Sequence, residues 1–279
     1  MQKTFLIFAV ISLLSCYDLA KQELMRYTTY TLKQYPIKDE QKENASDSLK
    51  LSKILDSALK YAWQFRSKEF FKHDFKAYPD DTSFVVTVQI IYGYLFSKGK
   101  KHLLIRQEVP WATYCNVYLF QDEQFKAVIK REQGGMTYIG DTATDVNGDN
   151  NKDFVVHWYP SSGCCLAEMY NVYLYQSQEG NFTHDYQFIN PTFFPKEKII
   201  IGLEYGHPGE TGLYKYKWNG FQIDTIEFIY PCYDQKNKFV KTTHQEYRPT
   251  ENEGVILNRL PKDYREIDSN SLKWFFDRY

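Results

Sequence analysis

Three similar hairpin-like segments constrain this chain more than any other feature. Asn116-Val117-Tyr118-Leu119-Phe120 is followed by a polar turn and Phe125. Asn171-Val172-Tyr173-Leu174-Tyr175 is followed by a turn and Phe182, and Leu213-Tyr214-Lys215-Tyr216 by Asn219-Gly220 and Phe221. Short runs of β-branched and aromatic residues bounded by polar turns read as strands, and Asn-Gly between two such runs is a strong hairpin signal. Each hairpin follows a polar turn and an apolar run: LFSKGKKHLLI, DVNGDNNKDFVV and FFPKEKIII. Tyr118, Tyr173 and Tyr214 therefore recur roughly every 40–55 residues, the period of propeller blades and related sheet repeats. The expected fold is mainly β, β-propeller-like or stacked antiparallel sheet repeats, with an N-terminal helix. Three clear units are too few for a ring of four or more blades. Either residues 83–110 and 238–279 add strands, or the fold is an open stack of sheets.

The chain is 18% aromatic, with Tyr 24 and Phe 20. Aromatics suit pleated, half-buried surfaces, and tyrosines at fixed repeat positions read as packing before they read as a sugar platform. A 43% hydrophobic and 25% charged composition excludes wholesale disorder. A formal net charge of -1 leaves no basic field, so nucleic acid is not an expected partner. The β-repeat domain is placed at 83–279. Ahead of it, Leu51, Ile54, Leu55, Ala58, Leu59, Ala62 and Phe65 fall at helical spacing, which predicts a helix from Ser48 to about Lys72. That helical segment, 47–75, is expected to lay its apolar stripe on the β domain.

At the N-terminus, Lys3 precedes an apolar run from Phe5 to Leu14. Such a run spans about 15 Å as a helix, half of a bilayer core, so an export signal is expected rather than a transmembrane anchor. Leu13-Leu14-Ser15-Cys16 resembles the lipobox of bacterial lipoproteins. The resemblance implies a signal peptide at 1–15, lipidation of Cys16, a membrane-anchored mature chain and a location in the bacterial cell envelope, periplasmic or surface-exposed. Residues 16–46 then read as a polar tether. Cys115, Cys164, Cys165 and Cys232 remain, and an exported chain could pair them as two disulfides in three connectivities. No C-x-x-C pair or zinc-finger histidine spacing occurs, which argues against a cysteine zinc site.

The sharpest chemical motif runs from Asp145 to Asp153. Asp145, Asn147, Asp149 and Asp153 place oxygen side chains at positions 1, 3, 5 and 9, and Asn151 offers its carbonyl at position 7. Calcium takes six to eight oxygens at flexible angles, and this set supplies them. Position 6 must turn sharply and carries Asn150, the non-glycine residue that best tolerates the left-handed region. Val156 stands where an EF-hand would place glutamate, so the motif reads as a calcium loop feeding a strand. Its expected role is structural.

The segment from Asp145 through Phe182 resembles the D-x-N-x-D-G-x-x-D loop, strand and V-Y-L-Y hairpin of FG-GAP/VCBS-like β-propeller repeats. It is similar to a group of bacterial periplasmic lipoproteins with such a loop, some of which are immunity proteins that inhibit lysozyme-like toxins. This chain departs from that group at Asn150 and in the Ser161–Cys165 insertion. No inhibitory residue carries over. The resemblance implies a calcium-binding, membrane-anchored module with a protein or glycan partner, and inhibition of a cell-wall hydrolase is its sharpest version. A glycan-binding or glycan-processing envelope protein and a purely structural lipoprotein are the competing expectations. No G-x-S-x-G, H-E-x-x-H, P-loop or G-x-G-x-x-G motif occurs, so no enzyme activity is expected. The six histidines are dispersed, and His157 reads as packed.

Overall fold

The computed structural model describes residues 37–79 and 84–277, with side chains from 47 onward. The span read as a signal peptide, Cys16 and most of the span read as a tether lie outside the described residues. The chain divides into two units, residues 1–50 and 51–279. Of the first, only the opening turns of helix α1 (Ile37–Gln64) are described.

The second unit is mainly β, with fifteen strands in three antiparallel sheets among the described residues. The first sheet contains β1 (Phe70–Ala77), β2 (Val86–Gly93), β3 (His102–Glu108), β4 (Ala112–Gln121) and β5 (Gln124–Gly134). The second contains β6 (Tyr138–Thr144), β7 (Asp153–Trp158), β8 (Met169–Gln176) and β9 (Asn181–Ile189). The third contains β10 (Pro191–Phe194), β11 (Ile199–Leu203), β12 (Leu213–Asn219), β13 (Gln222–Pro231), β14 (Phe239–Thr242) and β15 (Val255–Leu257). Each sheet is a meander in chain order, and among the described residues none closes into a barrel or propeller. A 3-10 turn at Asp263–Glu266 and helix α2 (Ser269–Phe276) follow.

Strand alternation explains how the sheets stack. In β7, Phe154 and Val156 pack with Leu104, Cys115 and Val117 of the first sheet. Val155, between them, packs with Ile200, Tyr214 and Trp218 of the third. The middle sheet is covered on both faces, which is why β7 reads as an unbroken apolar run. The outer faces are covered by helical elements. Leu51, Ala58 and Ala62 of α1 pack on Val86, Val88, Ile90 and Tyr92. Leu260, Tyr264, Ile267 and Phe275 pack on Ile201, Leu203, Leu213 and Ile229. Among the described residues, helical elements rather than a further sheet pack on the two outer sheets, so the stack ends without closing a ring.

Several sequence expectations need correction. The helix starts at Ile37, inside the span read as tether, because its first turns are strong helix formers without an apolar stripe. It ends at Gln64, well before residue 75. Phe70–Ala77 is strand β1, paired with β2 along its whole length. Ser269–Phe276, inside the span read as β, is helical. The repeat phasing also shifts by two residues in the third unit. The last pairs but one before the turns are Phe120 with Phe125, Tyr175 with Phe182 and Trp218 with Ile223. Tyr216, not Tyr214, is thus the counterpart of Tyr118 and Tyr173. The bulges at Val117/Tyr118 and Lys215/Tyr216 fall at that same position.

A meander sends alternate connections to opposite ends. One end, here the turn end, holds the three hairpin turns, the β10–β11 turn and the Asp145–Asp153 loop between β6 and β7. The opposite end, the loop end, holds the β7–β8, β11–β12 and β13–β14 connections.

Candidate functional site

At the turn end, the Asp145–Asp153 loop is organised by its own side chains. Asp145 accepts from the backbone N–H of Gly148 at 2.7 Å and of Asn150 at 2.9 Å. Asn147 Oδ1 accepts from Asp149 N at 3.2 Å, and Asp149 Oδ1 from Asn151 N at 2.8 Å. Asp153 is fully buried, and its two oxygens accept from Val146 N and Tyr175 N, each at 2.9 Å. Burial pushes its carboxyl up to about 7, Asp149 and Asp145 add to the rise, and the two backbone bonds oppose it. Asn150 has φ 67° and Gly148 φ 73°, the left-handed region the motif requires.

This loop also joins the layers. A Cβ on Gly148 would lie 2.0 Å from the carbonyl oxygen of Pro195 in the β10–β11 turn of the third sheet. Lys152 N donates to Phe96 O, beyond β2 of the first sheet, at 2.7 Å. The donor chemistry fits a hard cation, since each accepting oxygen keeps a second lone pair. Asp145, Asn147, Asp149 and Asn151 would hold such an ion from the open side, and Asp153 would back them from the buried side. Among the described residues, the three carboxylates do not converge to within 4.8 Å of one another as a set.

The loop end is built differently. Gln187, Ile189, Glu204, Tyr205, Tyr216 and Glu246 line a cleft of about 430 Å³ between the second and third sheets, with Tyr214 in its wall. Glu204 accepts from Gln245 at 2.7 Å, and burial raises its carboxyl above the usual range against the pull of that bond. Beside the cleft, Arg248 lies 5.5 Å from the Tyr233 ring centre and 5.2 Å from that of Tyr247. Its guanidinium donates to both Glu210 oxygens at 2.6 Å. Tyr233 is 63% exposed and Tyr247 78%. No sequence motif marks these residues, because they come from loops far apart in the chain.

The cysteines fall in separate places. Cys115, Cys164 and Cys165 carry free thiols. Cys115 is buried between the first and second sheets and donates to Asp141 at 3.4 Å. Asp141 also accepts from Tyr138 and pairs with Arg106. Cys232 follows β13 in the third sheet and donates to Asp234 at 3.0 Å. Layer placement thus separates Cys115 from Cys232. Cys164 and Cys165, in the β7–β8 loop, have Sγ atoms 2.9 Å apart and share a cluster with His207. Spacing along the chain does not reveal this group, since His207 arrives from the β11–β12 loop.

Of the repeat tyrosines, Tyr118 and Tyr214 are buried and Tyr173 half-buried, in keeping with packing. Tyr214 donates to Ile189 O at 2.8 Å. His157 stacks on Tyr170 with ring centres 4.2 Å apart. No helix among the described residues is long and apolar enough to cross a membrane. In comparisons with known proteins, no family model, curated protein or solved structure matches this chain.

Proposed function

We propose that this chain is a membrane-anchored, calcium-stabilised β-repeat lipoprotein that works as a binding module, with a lysozyme-like cell-wall hydrolase as the enzyme it inhibits. The observation that carries the binding role is the Tyr233–Arg248–Tyr247 group, exposed on loops held by the third sheet. Tyrosine and arginine dominate the energetics of protein interfaces because they bring large contact area at low entropy cost. Arg248 is already oriented by Glu210 and the chain by Tyr233 N donating to Pro249 O at 2.9 Å, so little ordering remains to be done on binding. The lipobox-like Leu13–Cys16 supports the anchor, and the Asp145–Asp153 loop supports calcium. Purified lysozyme-type hydrolases, assayed for binding and inhibition by the full chain, test this reading. Inhibition is expected to weaken about 30-fold or more in the Tyr233→Ala/Tyr247→Ala double variant. Neither binding nor inhibition by the unaltered chain would overturn it.

The cleft favours a second reading, glycan binding. Exposed Tyr205, half-buried Tyr216, the amide of Gln187 and two carboxylates together offer stacking faces and hydrogen-bonding groups suited to a sugar. Calorimetry with cell-wall oligosaccharides separates the two: saccharide binding lost in Tyr205→Ala but kept in the double variant would favour the glycan.

A further inference from the structure

Cys164, Cys165 and His207 offer one ligand atom each, all within 4.8 Å of one another. The three come from two sheets. The cysteines lie on the connection from β7 to β8 in the second sheet, and His207 on the connection from β11 to β12 in the third. Both loops are held in place by bonds that leave the sulfur and imidazole atoms uninvolved. Asn190 donates its amide to Leu166 O at 3.0 Å and to Leu203 O at 3.2 Å, tying the cysteine loop to the end of β11. Tyr159 donates to Cys165 O at 3.3 Å. On the other side, the Trp274 indole donates to Gly206 O at 2.9 Å and Gly209 N donates to Trp274 O at 2.8 Å, bracketing His207 from α2.

We infer that Cys164, Cys165 and His207 form a binding site for a thiophilic d10 metal ion, Zn2+ or Cu+, that clamps the second sheet to the third at the rim of the cleft. Two sulfurs and an imidazole nitrogen are soft and borderline donors, which select Zn2+ and Cu+ over calcium or magnesium. Bonds of about 2.3 Å to sulfur and about 2.0 Å to nitrogen place donors roughly 3.5–4 Å apart around one ion. The sulfurs, 2.9 Å apart, must therefore open by about 1 Å. Cys165 is buried and fixed, whereas Cys164 is exposed and supplies that movement by rotating its side chain. Binding displaces the two thiol protons to solvent as two metal–sulfur bonds form, with no change of oxidation state. Cu+ is satisfied by these three ligands. Zn2+ takes a fourth ligand from solvent, which reaches the site because Cys164 and His207 are exposed.

The test uses the full chain, reduced and saturated with Ca2+ so that the Asp145–Asp153 loop is occupied. Zn2+ and Cu+ are titrated separately against a competing chelator, and Co2+ serves as a probe whose sulfur-to-metal charge-transfer absorption reports thiolate ligation. One equivalent of Zn2+ or Cu+ should bind, with the stronger arm identifying the ion. Affinity should fall at least ~10-fold in His207→Ala and in Cys164→Ser. His207 and Cys164 are both exposed, so each variant should keep the parent's metal-free unfolding midpoint. The proposal is overturned by unchanged affinity in His207→Ala, by absence of the charge-transfer band, or by a Cys164–Cys165 disulfide that persists under reductant.

Discussion

The turn end and the loop end of the three sheets solve opposite problems. At the turn end, Asp145, Asn147, Asp149 and Asp153 each accept from a backbone N–H of the Asp145–Asp153 loop itself or of Tyr175. The loop end leaves Tyr205, Tyr233 and Tyr247 exposed and surrounds a cleft with groups from several connections. Long connections on a rigid scaffold are where binding residues concentrate, and short satisfied turns are where a scaffold gains its rigidity. The contrast teaches that the most motif-like segment of the chain is a brace, while the segments without motifs carry the exposed aromatic rings. It can be broken in measurable ways.

The largest effect should come from Asp153→Ala. It removes the acceptor for Val146 N and Tyr175 N, inside a site with no solvent access. Orphaning a buried donor costs about 1–3 kcal/mol each, so a loss of about 4 kcal/mol is expected in urea unfolding with chelator present. A loss under about 1 kcal/mol would mean that the turn end is not a brace.

His102, also at the turn end, tests the same claim through pH. It is fully buried against Phe96, Tyr175 and Phe182, with its ring nitrogen 3.3 Å from Gly180 O. Burial lowers its pKa from 6.5 to about 4, outweighing the Gly180 and Lys100 backbone bonds, and the Lys100 charge acts in the same direction as burial. The unfolded chain therefore binds the proton more readily than the folded one between these values. The contribution of His102 to stability is full above pH 6.5 and is lost as pH drops toward 4, against the opposite contribution of the buried Asp153 carboxyl. The drop should reach about 3 kcal/mol. His102→Phe should remove that contribution from the pH–stability curve; an unchanged slope would place the titration elsewhere.

These tests also show what could be read ahead of the structure. The three hairpins were legible because turn chemistry and β-branched runs are local signals. The unbroken apolar run in β7 was legible too, and the covered faces of the middle sheet explain it. Strand β1 was not, since Phe70–Ala77 carries a pattern that helix and strand both tolerate, and pairing with β2 decides it. Strands β14 and β15 are four and three residues long and owe their form to their neighbours. The oxygen-rich Asp145–Asp153 motif could be named residue by residue, yet the burial of Asp153 and its bond to Tyr175 N could not. At the loop end the adjacent cysteines were visible, but the histidine beside them was not. Spacing rules recognise ligands on one hairpin, and His207 is brought by a different sheet.

Calcium should matter less than Asp153 itself. If free calcium exceeds Kd about tenfold, linkage adds about 1.4 kcal/mol, read as a fall in Tm when EDTA is added. Asp149→Ala should erase the difference between the calcium and EDTA melts. Identical melts for the unaltered chain would leave the loop as a self-sufficient turn and remove calcium from the proposed function.

The smallest stability effect belongs to the other end. Tyr247 is 78% exposed, and its neighbour Arg248 keeps Glu210 and Tyr233 without it. Tyr247→Ala should therefore change unfolding free energy by no more than about 0.5 kcal/mol, the range of surface substitutions away from structural features. The same change removes a ring that a partner would bury, so affinity for a cell-wall hydrolase should fall by about tenfold or more, measured by competition with the unaltered chain. A variant that keeps both stability and affinity would move the recognition surface off this end. One that loses more than about 2 kcal/mol of stability would instead show Tyr247 bracing the fold, and the division between the two ends would fail, because each would then be built for rigidity.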